Sequence, residues 1–230
     1  MCGRFTLRTP AGVLVEQFRL ESAPELAPRY NIAPTQDVAV VRNEHDTAQD
    51  DAARRELVLM HWGLVPSWSK DPKQGARMIN ARGETAAEKP SFRAAFKRRR
   101  CLVLADGYYE WQKTGGKHKQ PFLIHRDDGA AFAFAGLWER WKGDDGPPLE
   151  SCTIITTSSA ESTREIHDRM PVILDEADYD LWLDVQFEDR ERLQQLLIPW
   201  ESDELVAEPV STHVNNVRHD DPQCAEPQSP

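Results

Sequence analysis

The sequence predicts an α+β fold, a single domain built on a mainly antiparallel sheet or barrel with short peripheral helices. Three observations carry this expectation. Apolar runs of strand length recur along the chain between Gly/Asp turns, the helical patterns among them are brief, and no internal repeat is present. With 230 residues and 40% hydrophobic content, the chain can bury one sizeable core and suits one domain better than two small ones.

Taken in order, Thr9-Pro10 opens a short helix, with Thr9 as N-cap, Pro10 at the first helical position and Val13, Leu14 and Phe18 on one face. Val38–Arg42 and Leu57–Trp62 read as partner strands, joined by a polar, aperiodic surface loop from Asn43 to Arg55. Pro90-Ser91 starts another short helix. Strands follow at Cys101–Ala105, Pro121–His125, Ala131–Leu137 and Cys152–Thr157. Helices are expected near Glu176–Leu183 and Glu188–Leu197, with a strand at Val206–Val210. Residues 1–219 are read as the domain, and residues 220–230 as a Pro-rich disordered tail.

Composition narrows the function classes. No apolar run approaches a membrane span and the N-terminus lacks the pattern of a signal peptide, so a cytoplasmic, non-membrane protein is expected. Cys2, Cys101, Cys152 and Cys224 show no paired spacing of the metal or redox kind, and neither a disulfide, a metal site nor a cofactor is expected. A net charge of −10 argues against indiscriminate nucleic-acid binding by the whole surface. Only 8 of the 28 basic residues are Lys and the likely loops are acidic, the composition of proteins from a salt-rich cytoplasm. Arg93, Lys97, Arg98, Arg99 and Arg100 make the densest basic run, which reads either as a backbone-tracking patch or as a solvated helix face.

Chemistry concentrates at the start of the chain. Initiator methionine is normally excised before a small second residue, which would leave Cys2 with a free α-amine and a thiol on one carbon. With unperturbed pKa values of about 7.7–8.0 and 8.5, both groups are partly nucleophilic near neutral pH. Such a 1,2-aminothiol condenses with an aldehyde to an imine, which the thiol closes to a thiazolidine. On position alone, a small residue in a frayed terminus or a small hydrophobe tucked into a sheet explains Cys2 as well. Three polar stretches border apolar runs: Asn80-Ala-Arg82-Gly-Glu84, Asp106-Gly-Tyr-Tyr-Glu110-Trp111 and His167-Asp-Arg169-Met-Pro171. Ionisable groups at the ends of buried strands mark sites, yet a turn amide, a strand-end carboxylate and a helix-end histidine are ordinary too.

The stretches Met1-Cys2-Gly3-Arg4-Phe5, Tyr30-Asn31-Ile32-Ala33-Pro34-Thr35, Trp62-Gly63-Leu64-Val65-Pro66-Ser67-Trp68, Asn80–Thr85, Gly107–Trp111, Gly136-Leu137-Trp138 and His167–Pro171 come in the order found in one family. The chain resembles the SOS response-associated peptidase (SRAP) family of abasic-site processing proteins from Cys2 to about Asn216. The resemblance implies an SRAP-like domain that senses abasic sites in single-stranded DNA. It also implies that Cys2 forms a covalent DNA–protein crosslink, with Asn80 orienting the terminal residue, Glu110 handling protons and His167 assisting. Autocatalytic removal of Met1 and abasic-site lyase chemistry are further implied possibilities. Arg4, Arg82 and Arg169 lie beside these groups and are the phosphate candidates, while Trp68 and Trp62 are the stacking candidates. A monomer is expected. The competing readings are a noncovalent single-stranded DNA binding module and a thiol peptidase.

Overall fold

The computed structural model describes residues 2–43, 54–116, 119–143, 146–202 and 204–228. Thirteen strands occur among them: β1 Phe5–Leu7, β2 Arg29–Ile32, β3 Asp37–Asn43, β4 Arg55–Trp62, β5 Asn80–Arg82, β6 Arg100–Ala105, β7 Gly107–Lys113, β8 Lys119–Arg126, β9 Phe132–Trp141, β10 Leu149–Ser158, β11 Arg169–Pro171, β12 Ile173–Leu174 and β13 Leu205–Pro209. The five α-helices are short: α1 Ala11–Gln17, α2 Gly83–Ala86, α3 Arg93–Arg98, α4 Tyr179–Leu183 and α5 Arg190–Gln195. Most strand pairs are antiparallel, as the sequence predicts. β10 departs from this by pairing in parallel with both β4 and β5.

Strands β10, β4, β3, β6 and β9 pair in succession, and β9 pairs back onto β10, so these five close on themselves as a barrel. Apolar side chains on both faces of these strands, among them Val40, Val103, Leu104, Phe134, Ile154 and Ile155, are buried. A second sheet, in the order β13-β8-β7-β1-β2, lies against it and carries the N-terminus. Phe5 joins the two layers. It pairs with Tyr108 across β1–β7, while its ring meets Trp62 and Phe134 edge-on at 5.1 and 5.8 Å.

The end of β1 is fixed by the buried carboxylate of Asp106. This group accepts from the Thr6 hydroxyl (2.6 Å), the Thr9 amide (2.9 Å), the Thr9 hydroxyl (3.0 Å) and the amide of Arg8. Thr9 is therefore not the helix cap expected from its sequence. α1 begins after Pro10 without a side-chain cap, because the Thr9 hydroxyl is committed to Asp106.

The basic run is dispersed by folding. Lys97 and Arg98 pair with Glu188, Arg99 pairs with Glu139, and Arg100 is buried. The Arg100 guanidinium donates to the carbonyls of Lys97 (2.6 Å), Trp182 (2.7 Å), Phe96 (2.9 Å), Phe187 (3.1 Å) and Asp184, tying α3 and α4 to β6. Burial without a carboxylate partner lowers its pKa to about 10.

Residues 220–228 correct the expectation of a disordered tail. Asp220 accepts from Arg29 and from the amides of Tyr30 (2.6 Å) and Asn31 (2.9 Å), residues 222–225 form a 3₁₀ turn, and Cys224 is buried. Pro content misled here because Pro222 sits at the first position of that turn, where a missing N–H costs nothing. Most of the loop between Asn43 and Arg55 lies outside the described residues, but its two ends pair in register across β3 and β4.

Candidate active site at the amino terminus

Three strands bring the candidate residues to Cys2. β1 lies antiparallel to β7, with the Tyr109 amide donating to the Arg4 carbonyl at 2.9 Å, so the chain preceding Phe5 runs beside Glu110. β5 lies parallel to β10 with Asn80 opposite Ile154, and β11 pairs with the end of β10, Arg169 opposite Ser158. The barrel strand β10 thus holds Asn80 on one flank and the His167-Asp168-Arg169 segment on the other.

Asn80 reaches across 78 residues of sequence to donate from Nδ2 to the Cys2 carbonyl at 2.7 Å. That bond fixes the amide's orientation and leaves Oδ1 buried with no hydrogen-bond partner in the structure. A buried orphan acceptor costs about 1–3 kcal/mol. Such a cost at a site is a sign that a donor is meant to arrive there.

Glu110 is buried within β7, with only 3% of its surface exposed, where the sequence allowed an ordinary strand-end carboxylate. Burial raises its pKa, opposed in part by the positive charge of His167 when protonated. His167 Nε2 lies 4.0 Å from Glu110 Oε2. Its Nδ1 is 3.0 Å from both the Arg169 amide and an Asp168 carboxylate oxygen, contacts that demand opposite roles of one nitrogen. The amide can only donate and Asp168 is mostly exposed, so the neutral ring accepts at Nδ1 and carries its proton on Nε2, towards Glu110.

The Cys2 thiol is fully buried, 3.9 Å from the Arg4 carbonyl. Burial, followed by the negative charge of Glu110, pushes its pKa far above the ordinary thiol value. Tyr108 is a neighbour that residue-type reasoning passes over. Its buried hydroxyl is influenced by both Cys2 and Glu110, and burial raises its pKa as well. The sequence signal for it is its place in the stretch Gly107–Trp111, two residues before Glu110. Cys101 and Cys152 are buried in β6 and β9's other neighbour β10, with raised pKa values, as inert core thiols should be.

The charged and aromatic candidates divide. Arg82 is exposed at the end of β5, and Trp68 is 60% exposed. Arg4 is half-engaged, donating to Asn31 Oδ1 and the Val214 carbonyl, each at 2.8 Å, with its guanidinium 5.8 Å from the Trp111 ring centre. Arg169 is already paired, forking onto both oxygens of Glu84 and donating to the Thr156 carbonyl at 2.6 Å. Trp62 is not a stacking residue. It is fully buried in the core, with its indole N–H on the Ile79 carbonyl at 2.9 Å, and it holds Phe5 instead of meeting solvent. A cleft of about 820 Å³ elsewhere, lined by Asp175, Glu176, Glu201 and Glu204, contains none of these residues.

A cysteine at position 2, clasped by the Asn80 amide beside a buried carboxylate and a histidine, stands on a closed mixed barrel. The SOS response associated peptidase (SRAP) family matches residues 1–217, and the chain belongs to that family. It is 42% identical to the abasic site processing protein YoqW of Bacillus subtilis over 98% of this chain and 99% of that protein. It is 32% identical to the abasic site processing protein HMCES of Mus musculus, covering 99% of this chain and 76% of that one. A solved structure of a protein from Bacteroides thetaiotaomicron superposes with a TM-score of 0.84 at 25% identity, covering 99% of this chain and all of the other.

Proposed function

We propose that the protein processes abasic sites in single-stranded DNA, and that mature Cys2 captures the lesion as a thiazolidine crosslink. The observation that carries this reading is the clasp of Asn80 on the Cys2 carbonyl beside the buried Glu110 carboxylate. The names of the relatives supply the lesion. An abasic deoxyribose presents an open-chain aldehyde. The Cys2 α-amine attacks it, and a proton passes to the departing hydroxyl as water leaves and the imine forms. The thiol sulfur then adds to the imine carbon, its proton ends on nitrogen, and the five-membered ring closes with one water as the sole by-product. In this reading Glu110 and His167, whose Oε2 and Nε2 lie 4.0 Å apart, carry those protons. Arg82 and Trp68 are the exposed candidates for phosphate and base contacts, and the half-engaged Arg4 is a further phosphate candidate.

Removal of Met1 is required, because the amide nitrogen of an unprocessed chain cannot form an imine. Intact mass reports whether that removal has occurred. The decisive test mixes mature protein with a single-stranded oligonucleotide bearing one abasic site and looks for a band that survives SDS and heat. Cys2→Ala, or retained Met1, should abolish the band while DNA affinity persists. A shortened oligonucleotide without a band would assign a lyase instead. Neither product, with binding intact, would leave a noncovalent binding module.

A further inference from the structure

The folded tail creates a cluster that spacing in the sequence conceals. His213 lies in the 3₁₀ turn Thr212–Asn215, and Asp221 and Cys224 belong to the turn Pro222–Ala225 and its cap. One ligand atom from each of these three residues lies within 4.8 Å of the other two. His213 Nε2 and Asp221 Oδ2 are 3.1 Å apart, and the other Asp221 oxygen accepts the Gln223 amide at 3.0 Å. The His213 ring is held in place by His219, stacked on it with ring centres 3.8 Å apart. His219 in turn points Nδ1 at the His213 carbonyl at 2.9 Å.

We propose that His213, Asp221 and Cys224 form a binding site for a divalent transition-metal ion of the zinc type, completed by water. One imidazole, one carboxylate and one thiol are the donor types such an ion takes, and a tetrahedral shell with bonds of about 2.0–2.3 Å spaces its ligands by roughly 3.4–3.8 Å. His213 Nε2 and Asp221 Oδ2, at 3.1 Å, stand slightly inside that spacing and no pair of the three ligand atoms is more than 4.8 Å apart, so a small adjustment closes the set. On binding, the Cys224 thiol loses its proton to solvent, His213 gives up its Nε2 proton and keeps one on Nδ1 as the neutral ring, and the His213–Asp221 hydrogen bond is replaced by two bonds to the ion. Each ligand already has a neighbour that fixes its orientation, as metal sites require.

The consequence reaches the amino-terminal site. The Val214 carbonyl accepts from Arg4, and Asn31 donates to the carbonyls of Val214, Asn216 and His219, the last at 2.7 Å. An ion joining the two turns staples the segment that anchors Arg4 and Asn31. Ion binding at this site does not depend on the crosslinking chemistry.

The test uses the full chain carrying Cys2→Ser, which removes the terminal aminothiol as a competing chelator. Titration with Co²⁺ should give one equivalent of a thiolate-to-cobalt charge-transfer band that Zn²⁺ displaces. Zn²⁺ should also raise the thermal midpoint, reversibly with EDTA. Adding Cys224→Ser should remove the band, and adding His213→Gln should weaken Co²⁺ binding at least about tenfold. No thiolate band in the Cys2→Ser protein would overturn the proposal without recourse to a further variant. A band that persists after Cys224→Ser would overturn it too.

Discussion

Replacing Asn80 with Ala separates positioning from stability. The change deletes the 2.7 Å bond to the Cys2 carbonyl and, with it, the buried Oδ1 that has no partner. The lost bond costs about 0.5–1.5 kcal/mol, and the removed orphan returns about 1–3 kcal/mol. The net change in unfolding free energy should therefore run from about 0.5 kcal/mol of loss to about 2.5 kcal/mol of gain. The rate should respond differently. Without its clasp the terminal residue regains backbone freedom worth roughly 1–2 kcal/mol, which must be lost again before the amine can attack, a penalty of about 5–30-fold. Single-turnover crosslinking to an abasic oligonucleotide, with urea unfolding on the same samples, measures both. An Asn80→Ala rate within about twofold of the parent would refute the positioning argument. A loss of stability above roughly 3 kcal/mol in step with the rate would reassign Asn80 to the fold.

Four other outcomes follow from the same geometry. Because burial raises the Glu110 pKa above 4.5, its contribution to stability is fully present below the unfolded value and is lost as pH rises through the folded one, so Glu110→Gln should be more stable than the parent at neutral pH, equal to it in acid, and slow to crosslink; unfolding across a pH series tests this. Trp62→Ala should cost about 3–5 kcal/mol of stability, whereas Trp68→Ala should change stability by less than about 0.5 kcal/mol and weaken single-strand binding by about 1–3 kcal/mol, as denaturation and fluorescence titration would show. Arg100→Met leaves five carbonyls without their charged donor and should cost more than about 3 kcal/mol in a urea melt, with no direct effect on the thiol. Crosslink yield should survive rising salt better than equilibrium affinity for intact single strands, which falls with a log–log slope of about −0.7 per neutralised phosphate; parallel loss in a salt titration would contradict this.

The barrel was legible because its strands are apolar for most of their length. Val38–Arg42, Leu57–Trp62 and Cys101–Ala105 all fall within observed strands, and the first two pair as expected. β1, β2, β5 and β7 are hidden from sequence patterning because each is either very short or carries polar side chains. In β7 the buried Glu110 interrupts the apolar pattern for reasons of chemistry. The candidate residues Cys2, Asn80, Glu110 and His167 were named through ordered motifs, since no periodicity connects positions 78 residues apart. Solvent exposure was the hidden variable for the rest. Trp62 and Trp68 flank one motif, yet the strand register buries the first and a turn after Pro66 exposes the second. Arg169 looked free because Glu84, its partner, stands 85 residues away.

The buried thiol bears on the order of events in the proposed capture. With its pKa raised by burial and by the charge of Glu110, Cys2 holds its proton and is a poor first nucleophile. On the proposed mechanism the amine therefore attacks first. Water loss then leaves an iminium cation on the same residue, next to the Glu110 carboxylate. That cation offsets the negative charge that raised the thiol pKa and makes the thiolate accessible only once its electrophile is in place. A free aldehyde of the same size should follow the same order, so trapping the imine with borohydride ought to compete with ring closure. Its yield should rise in Cys2→Ser, which keeps the amine, and vanish when Met1 is retained. An adduct that forms with equal rate in the Met1-retaining chain would show the thiol attacking alone and would reverse the sequence.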